Sequence, residues 1–237
     1  SWMFPILGIY SQNDTTSALI SGSGTMNQNY PPRQDYNFAS SSIRAENVHS
    51  DPVEQFRLWY EEEEAAGHGE PNRIALATTT KSGAPSLRMV LLKIFGPEGF
   101  FFFSDYTSRK AVEMETNPHV AILSHWPRLQ RQVRIEGLVE KSSREVTENY
   151  FNSRPRLSRA AAAVSHQSSV MDSRDFFADQ LHSLATGENP IECPETWGGY
   201  RVVPTRFEFW QGQPGRVHDR VQYDVEGDQW SLSELQP

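Results

Sequence analysis

Two cations, Arg88 and Lys93, stand inside the apolar run Arg-Met-Val-Leu-Leu-Lys, where burying either without an anionic partner is unfavourable. Five residues apart on an extended chain, they point to opposite faces and so serve two ligands or two parts of one site. A second pair, Arg109 and Lys110, follows Thr107-Ser108 at a helix start. There the macrodipole disfavours positive charge and the free backbone N–H groups attract phosphate; a solvated basic helix end is the plainer alternative. Tyr150, Arg154 and Ser158 recur at intervals of four, a helical spacing that sets a phenol, a guanidinium and a hydroxyl on one face. That set suits a phosphate monoester, or is an ordinary surface stripe. Arg216, His218 and Arg220 alternate behind Trp210 and a Gly-Gln-Pro-Gly turn. On a strand all three share a face and need anions or carboxylates opposite them. Gln132, Arg134 and Glu136 form a polar face against Val133 and Ile135, which lines a groove or meets water.

These cations are local exceptions in an acidic chain. A formal net charge of -8 over 237 residues argues against a nucleic-acid partner, which needs a positive surface. The one cysteine, Cys193, rules out an internal disulfide and a thiolate zinc cluster and points to a reducing compartment, the cytoplasm, with an organelle as the alternative. The histidines show no metal-ligand spacing, so no metal is expected. No dinucleotide fingerprint follows a strand, and there is no P-loop or nucleophile elbow; Gly22-Ser23-Gly24 sits in polar sequence and carries little. No apolar run approaches the ~18 residues of a membrane span, and Ser1–Tyr10 lacks the basic flank of a leader, so a soluble protein is expected.

The elements that must position these residues follow from period and caps. Residues 1–50 carry neither helical nor strand periodicity and read as a flexible polar arm; residues 51–237 read as one domain. Asp51-Pro52-Val53-Glu54 has the form of a capping box opening a helix that buries Val53, Phe56, Trp59 and Tyr60 and stops at Gly67. Period two then predicts strands at Arg73–Thr80, Pro85–Phe95, Gly99–Ser104, His119–Trp126 and Leu129–Lys141, with a helix near Ser108–Glu115. Two helices follow, one opened by a second capping box at Ser142–Glu145 and one over Asp172–Ala185. Strands at Gly199–Val203, Arg206–Gln211, Val217–Asp224 and Gln229–Leu232 close the chain. The pattern predicts an α+β fold, an antiparallel barrel with peripheral helices.

Eight segments, from Arg88–Lys93 through Thr107–Lys110, Arg131–Gly137, Tyr150–Pro155, Ser165–Val170, Trp197–Pro204 and Glu208–Gln213 to Arg216–Arg220, resemble the pyridoxamine/pyridoxine 5'-phosphate oxidase family in order and spacing. The resemblance covers about residues 51–224. It implies an FMN-binding split barrel of six to eight strands, with a C-terminal dimerisation region and a homodimer whose sites lie at the interface. It implies FMN contacts at Arg88, Met89, Val90, Leu91, Phe103, Ser104, Arg109, Lys110, Gln132, Gln167, Ser168, Trp210 and Arg220. The phosphate of a B6 vitamer would be held by Lys93, Tyr150, Arg154 and Ser158, with Arg216, Val217 and His218 over the substrate and Arg216 and His218 as the catalytic pair. The implied reaction moves a hydride equivalent from the substrate C4' carbon to the flavin, with dioxygen as final acceptor and hydrogen peroxide and pyridoxal 5'-phosphate as products. One departure stands out: the family usually ends in Arg-Leu-Ala-Pro, and this chain ends in Glu234-Leu235-Gln236-Pro237. Arg33 and Tyr36 loosely echo a segment that covers the family's site. A different flavoenzyme on the same barrel would lose the phosphate set, and a non-catalytic flavin- or pyridoxal-phosphate-binding protein is the reading from another class.

Overall fold

Asp51 starts the first helix, α1 (Pro52–Ala66), by accepting the Val53 N–H at 2.8 Å, while Pro52 fills a first-turn position that needs no N–H. The expected capping box is only half made. Glu54 accepts instead from Arg57 Nε at 2.8 Å, one turn along, and the Asp51 N–H goes to His49 Nδ1 at 3.0 Å. Val53, Phe56 and Trp59 are buried, and Phe56 meets Phe95 and Phe100 edge-on at 5.0 and 5.1 Å. The helix ends at Gly67. This computed structural model describes residues 42–237; the polar segment 1–41, with Gly22–Gly24, Arg33 and Tyr36, lies outside the described residues.

Nine antiparallel strands form one sheet: β1 (Arg73–Thr79), β2 (Pro85–Leu91), β3 (Ile94–Gly96), β4 (Gly99–Asp105), β5 (His119–Trp126), β6 (Arg131–Lys141), β7 (Trp197–Gln211), β8 (Asp219–Glu226) and β9 (Gln229–Glu234). The order is β2-β1-β5-β6-β7-β4-β3, and β8 and β9 continue from β7. The long β7 makes the sheet curl. One edge pairs with β6 from Tyr200 to Gln211, and the other is shared, its first half by β4 and its second by β8. Helices α2 (Arg109–Thr116), α3 (Arg144–Ser153), α4 (Arg156–Val164) and α5 (Arg174–Thr186) are peripheral. The barrel core holds Ile74, Leu76, Phe100, Phe102, Ile122, Val133, Ile135, Phe207, Phe209, Val221 and Tyr223, the inward residues of alternating strands. A second cluster of Phe151, Ala160, Ile191 and Trp197 seats α3 and α4.

Several expectations are corrected. The Pro85–Phe95 run divides at Leu91, leaving Leu92 and Lys93 between β2 and β3. The described residues carry nine strands, the number the periodicity predicts, against the six to eight that the resemblance implies. The strands predicted at Gly199–Val203 and Arg206–Gln211 are one, because Pro204 sits opposite Gly137 at the bulge between β6 and β7, where a missing N–H is tolerated. Three helices, not two, follow β6, since Pro155 separates α3 from an alanine-rich α4. Ser143 caps α3 through the Val146 N–H at 3.2 Å, which puts Glu145 one position short of closing a box. β8 begins at Asp219 rather than Val217. Among the described residues no helix is long and apolar enough to cross a membrane, and no group of His, Cys, Asp and Glu could hold a metal.

Candidate cofactor and substrate site

A cavity of about 400 Å³ opens between β2, β4 and the α3–α4 segment, and its charged lining is almost wholly cationic. Lys110, in the first turn of α2, is buried, and its ammonium donates to Gln167 Oε1 (2.6 Å), Ser104 Oγ (3.0 Å) and Ser108 Oγ (3.2 Å). All three acceptors are neutral. Burial pushes the Lys110 pKa down and Arg88 adds to the shift, opposed by Asp105 and Glu113. Asp105, the carboxylate in the lining, has both oxygens engaged by its own chain. Its Oδ1 accepts from the Thr107 N–H and hydroxyl, both at 2.6 Å, and its Oδ2 from the Gln167 N–H at 3.4 Å.

Across the cavity Phe103, Tyr150 and Trp197 form an aromatic wall, with Phe103 stacked at 4.0 Å on Tyr150 and 5.6 Å from Trp197. Arg154 lies over the Trp197 ring at 4.7 Å, and its Nη1 is buried with no hydrogen-bond partner. Burial holds its pKa below the usual arginine value. A guanidinium nitrogen left unsatisfied at a cavity wall has a hydrogen bond to offer an acceptor that enters the cavity. Met89, Val90, Leu91 and Lys93 line the same cavity; Ser158 does not. The helical stripe drawn through Tyr150, Arg154 and Ser158 is therefore wrong in mechanism. α3 ends at Ser153, Arg154 is extended, and Pro155 re-aims the chain before Ser158 on α4.

A second group sits apart from this cavity. Gln132, Trp210 and Arg220 are register neighbours on β6, β7 and β8, forming one row across the sheet. The His218 ring packs on Trp210 at 4.5 Å, and its Nδ1 accepts the Gln213 N–H at 3.1 Å, which leaves the proton of the neutral ring on Nε2. Burial, then Arg216, lower its pKa. The expected strand face of Arg216, His218 and Arg220 does not exist. Arg216 ends a 3₁₀ turn with φ of 63°, Gly215 has φ of 69°, and Val217 and His218 precede the strand. Gly215 permits a turn that runs past the Gly-Gln-Pro-Gly sequence and takes Arg216 out of the expected strand.

Sequence reasoning passed over the carboxylates behind these cations. Glu208, buried on β7, accepts from Arg134 Nη2 at 2.7 Å and Arg220 Nε at 2.9 Å, and that bond raises the Arg220 pKa. Glu113 accepts from Arg88 and Arg109. The departing C-terminus has a local use. Glu234 accepts the Ala45 N–H at 2.9 Å and lies 3.5 Å from Arg44, and the Gln236 carbonyl accepts from Arg220 Nη1 at 2.9 Å. Ser168, with φ of 73°, accepts the Arg109 N–H at the head of α2.

The fold is the split barrel of FMN-binding proteins related to pyridoxamine 5'-phosphate oxidase. It is shared with such a protein from Nostoc punctiforme (TM-score 0.67, 16% identity, 80% of this chain and all of that one). A nearer likeness is PhzG from Burkholderia lata in complex with tetrahydrophenazine-1-carboxylic acid (TM-score 0.79, 26% identity, 81% of this chain and 95% of that one). Residues 60–186 match the pyridoxamine 5'-phosphate oxidase family, and residues 197–237 match the pyridoxine 5'-phosphate oxidase C-terminal dimerisation region. The chain is 44% identical over 211 residues to the pyridoxine/pyridoxamine 5'-phosphate oxidase of Salinibacter ruber, covering 86% of this chain and 97% of that one. It is 45% identical over 219 residues to the chloroplastic enzyme of Arabidopsis thaliana, covering 87% of this chain and 41% of that longer protein. The chain belongs to the pyridoxamine 5'-phosphate oxidase family.

Proposed function

We propose that the protein is an FMN-dependent oxidase converting pyridoxamine 5'-phosphate or pyridoxine 5'-phosphate to pyridoxal 5'-phosphate, with dioxygen as acceptor and hydrogen peroxide as by-product. The observation that carries the reading is the buried, unpartnered Nη1 of Arg154 in one cavity with a lysine held only by neutral oxygens. Two cationic ends in one cavity suit two phosphates. Lys110, Ser104, Gln167 and the head of α2 with Arg109 and Ser168 would hold that of the cofactor, and Lys93, Tyr150 and Arg154 that of the substrate. Met89, Val90, Leu91 and Phe103 would flank the flavin and Arg88 its phosphate, while Ser158 sits on α4 outside the cavity lining.

Bound FMN supplies a two-electron acceptor that dioxygen can reoxidise, and the chain's own part is orientation and electrostatics. Arg154 fixes the far end of the substrate, and the aromatic wall excludes water from its flank. His218 offers Nε2–H as a donor over the substrate, since Nδ1 already accepts from Gln213. Arg216 and Val217, on the exposed turn, complete that cover, and Arg220 meets the flavin with its direction set by Glu208. The row of Gln132, Trp210 and Arg220, with His218 and Arg216, does not line the cavity of its own chain. A homodimer that lays this row over the partner's cavity would complete two sites, in keeping with the matched dimerisation region. The cytoplasm is the proposed location, on the single cysteine.

The test is a visible spectrum of FMN-loaded protein under anaerobic conditions, before and after pyridoxamine 5'-phosphate and again after readmitting air. Bleaching of the flavin band, its return in air and formation of pyridoxal 5'-phosphate are expected. An FMN-loaded protein whose band never bleaches would be a binding protein on this fold.

A further inference from the structure

One buried carboxylate ties together three elements at the phosphate end of the cavity. Glu113, on the second turn of α2, is 5% exposed at its side chain. Its Oε2 accepts from Thr78 Oγ1 of β1 at 2.5 Å, Ser86 Oγ of β2 at 2.6 Å and Arg88 Nη2 of β2 at 3.1 Å, and its Oε1 accepts from Arg109 Nε at 2.9 Å. The two arginines end up with different capacities. Arg88 Nη1 donates to the Leu76 carbonyl (2.9 Å) and Thr78 Oγ1 (2.6 Å), and its Nη2 donates to Ser86 and Glu113. Four terminal hydrogens are thereby committed inward, and Nε alone is left for a ligand. Arg109 commits only Nε, and its side chain is 67% exposed, so both terminal nitrogens face outward from a fixed pivot. That pivot stands beside the α2 head, next to Ser168 and Lys110.

We infer that Glu113 is the positioning residue of the flavin phosphate site: it locks Arg88 into the barrel as a fixed charge and pins Arg109 so that its two terminal nitrogens grip the phosphate. The inference rests on the proposed FMN reading. The geometry is matched by electrostatics. Burial alone would raise the Glu113 pKa, but hydrogen bonds from Ser86, Thr78 and Arg109 and the Arg109 charge hold it at about 2, which favours the ionised carboxylate that the two arginines meet. Without this anchor, Arg109 is a long, exposed cation at the wrong end of a helix dipole and must be ordered at each binding event.

The experiment compares FMN with riboflavin, which lacks only the phosphate, by titrating apoprotein and following flavin fluorescence in wild type, Glu113→Gln, Glu113→Asp and Arg109→Gln. Wild type should prefer FMN. Glu113→Gln should lose roughly tenfold in FMN affinity, about 1.4 kcal/mol, with riboflavin unchanged. Glu113→Asp should recover part of that loss, and Arg109→Gln should reproduce it without disturbing the buried network. Equal losses for both flavins in Glu113→Gln would mean a merely structural carboxylate, and tighter FMN binding would mean a repelling one; either overturns the inference. So does an Arg109→Gln protein that keeps its FMN preference, which stays decisive should the Glu113 variants fold poorly. Wild type binding neither flavin would instead overturn the FMN reading itself, and the inference with it.

Discussion

Arg154 carries the proposed substrate grip on one side chain. Its guanidinium lies over Trp197, and its Nη1 is buried with no acceptor among the described residues, which is unfavourable unless a ligand supplies one. A charge-assisted bond to phosphate is worth about 1.5–3 kcal/mol. Arg154→Ala should therefore raise KM for the phosphorylated substrate by roughly ten- to a hundredfold while FMN affinity holds, because Lys110 and its neutral acceptors do not depend on it. Steady-state kinetics beside a flavin titration would separate the two, and a parallel loss of FMN would undo the assignment. At this scale the cations were legible because charge in apolar or helix-start sequence needs a partner. Their carboxylate supports were not. Glu113 and Glu208 look like ordinary surface acids on a helix and a strand, and only the fold turns them inward beneath Arg88, Arg109, Arg134 and Arg220.

Strands and hairpins were the elements best read from the chain, since alternation in β1 and β6 maps directly onto burial. What failed were the places where one residue overrides a period. Pro204 looked like a strand breaker but lies at a bulge, Pro155 turned a continuous helical stripe into two helices, and Gly215 curled a presumed strand into a 3₁₀ turn. The glycines of β7 work at the same level. Gly199 lies opposite Phe103, and a Cβ there would stand 2.3 Å from Ser142 Oγ and 2.9 Å from the Phe103 ring, so its missing side chain lets the aromatic wall close. Gly199→Ala should destabilise the protein by about 1–3 kcal/mol through overpacking and weaken substrate binding as Phe103 and Tyr150 shift. Denaturant unfolding with a KM measurement tests both. An alanine variant of wild-type stability and KM would show that the wall has slack the distances do not suggest.

The distribution of function over the whole chain follows from the long β7, whose first half backs the cavity through Trp197 and whose second half carries Trp210 in the outlying row. On the proposed reading one chain holds both parts of a site without bringing them together; the family resemblance implied sites at a subunit interface, but residue order alone could not say which residues fall on which side of it. In the proposed twofold dimer each site would take its cavity from one subunit and its row from the other. Arg154→Ala disables the cavity and Arg220→Ala the row, so each homodimer should be impaired at both sites. Coexpressed, the two variants should form mixed dimers in which one site carries both lesions and the other carries neither. With random pairing about one quarter of all sites would be intact, and oxidase activity should return to roughly that fraction of wild type. Activity no higher than that of the separate variants, in a preparation shown to contain mixed dimers, would place the cavity and the row of one chain in the same site.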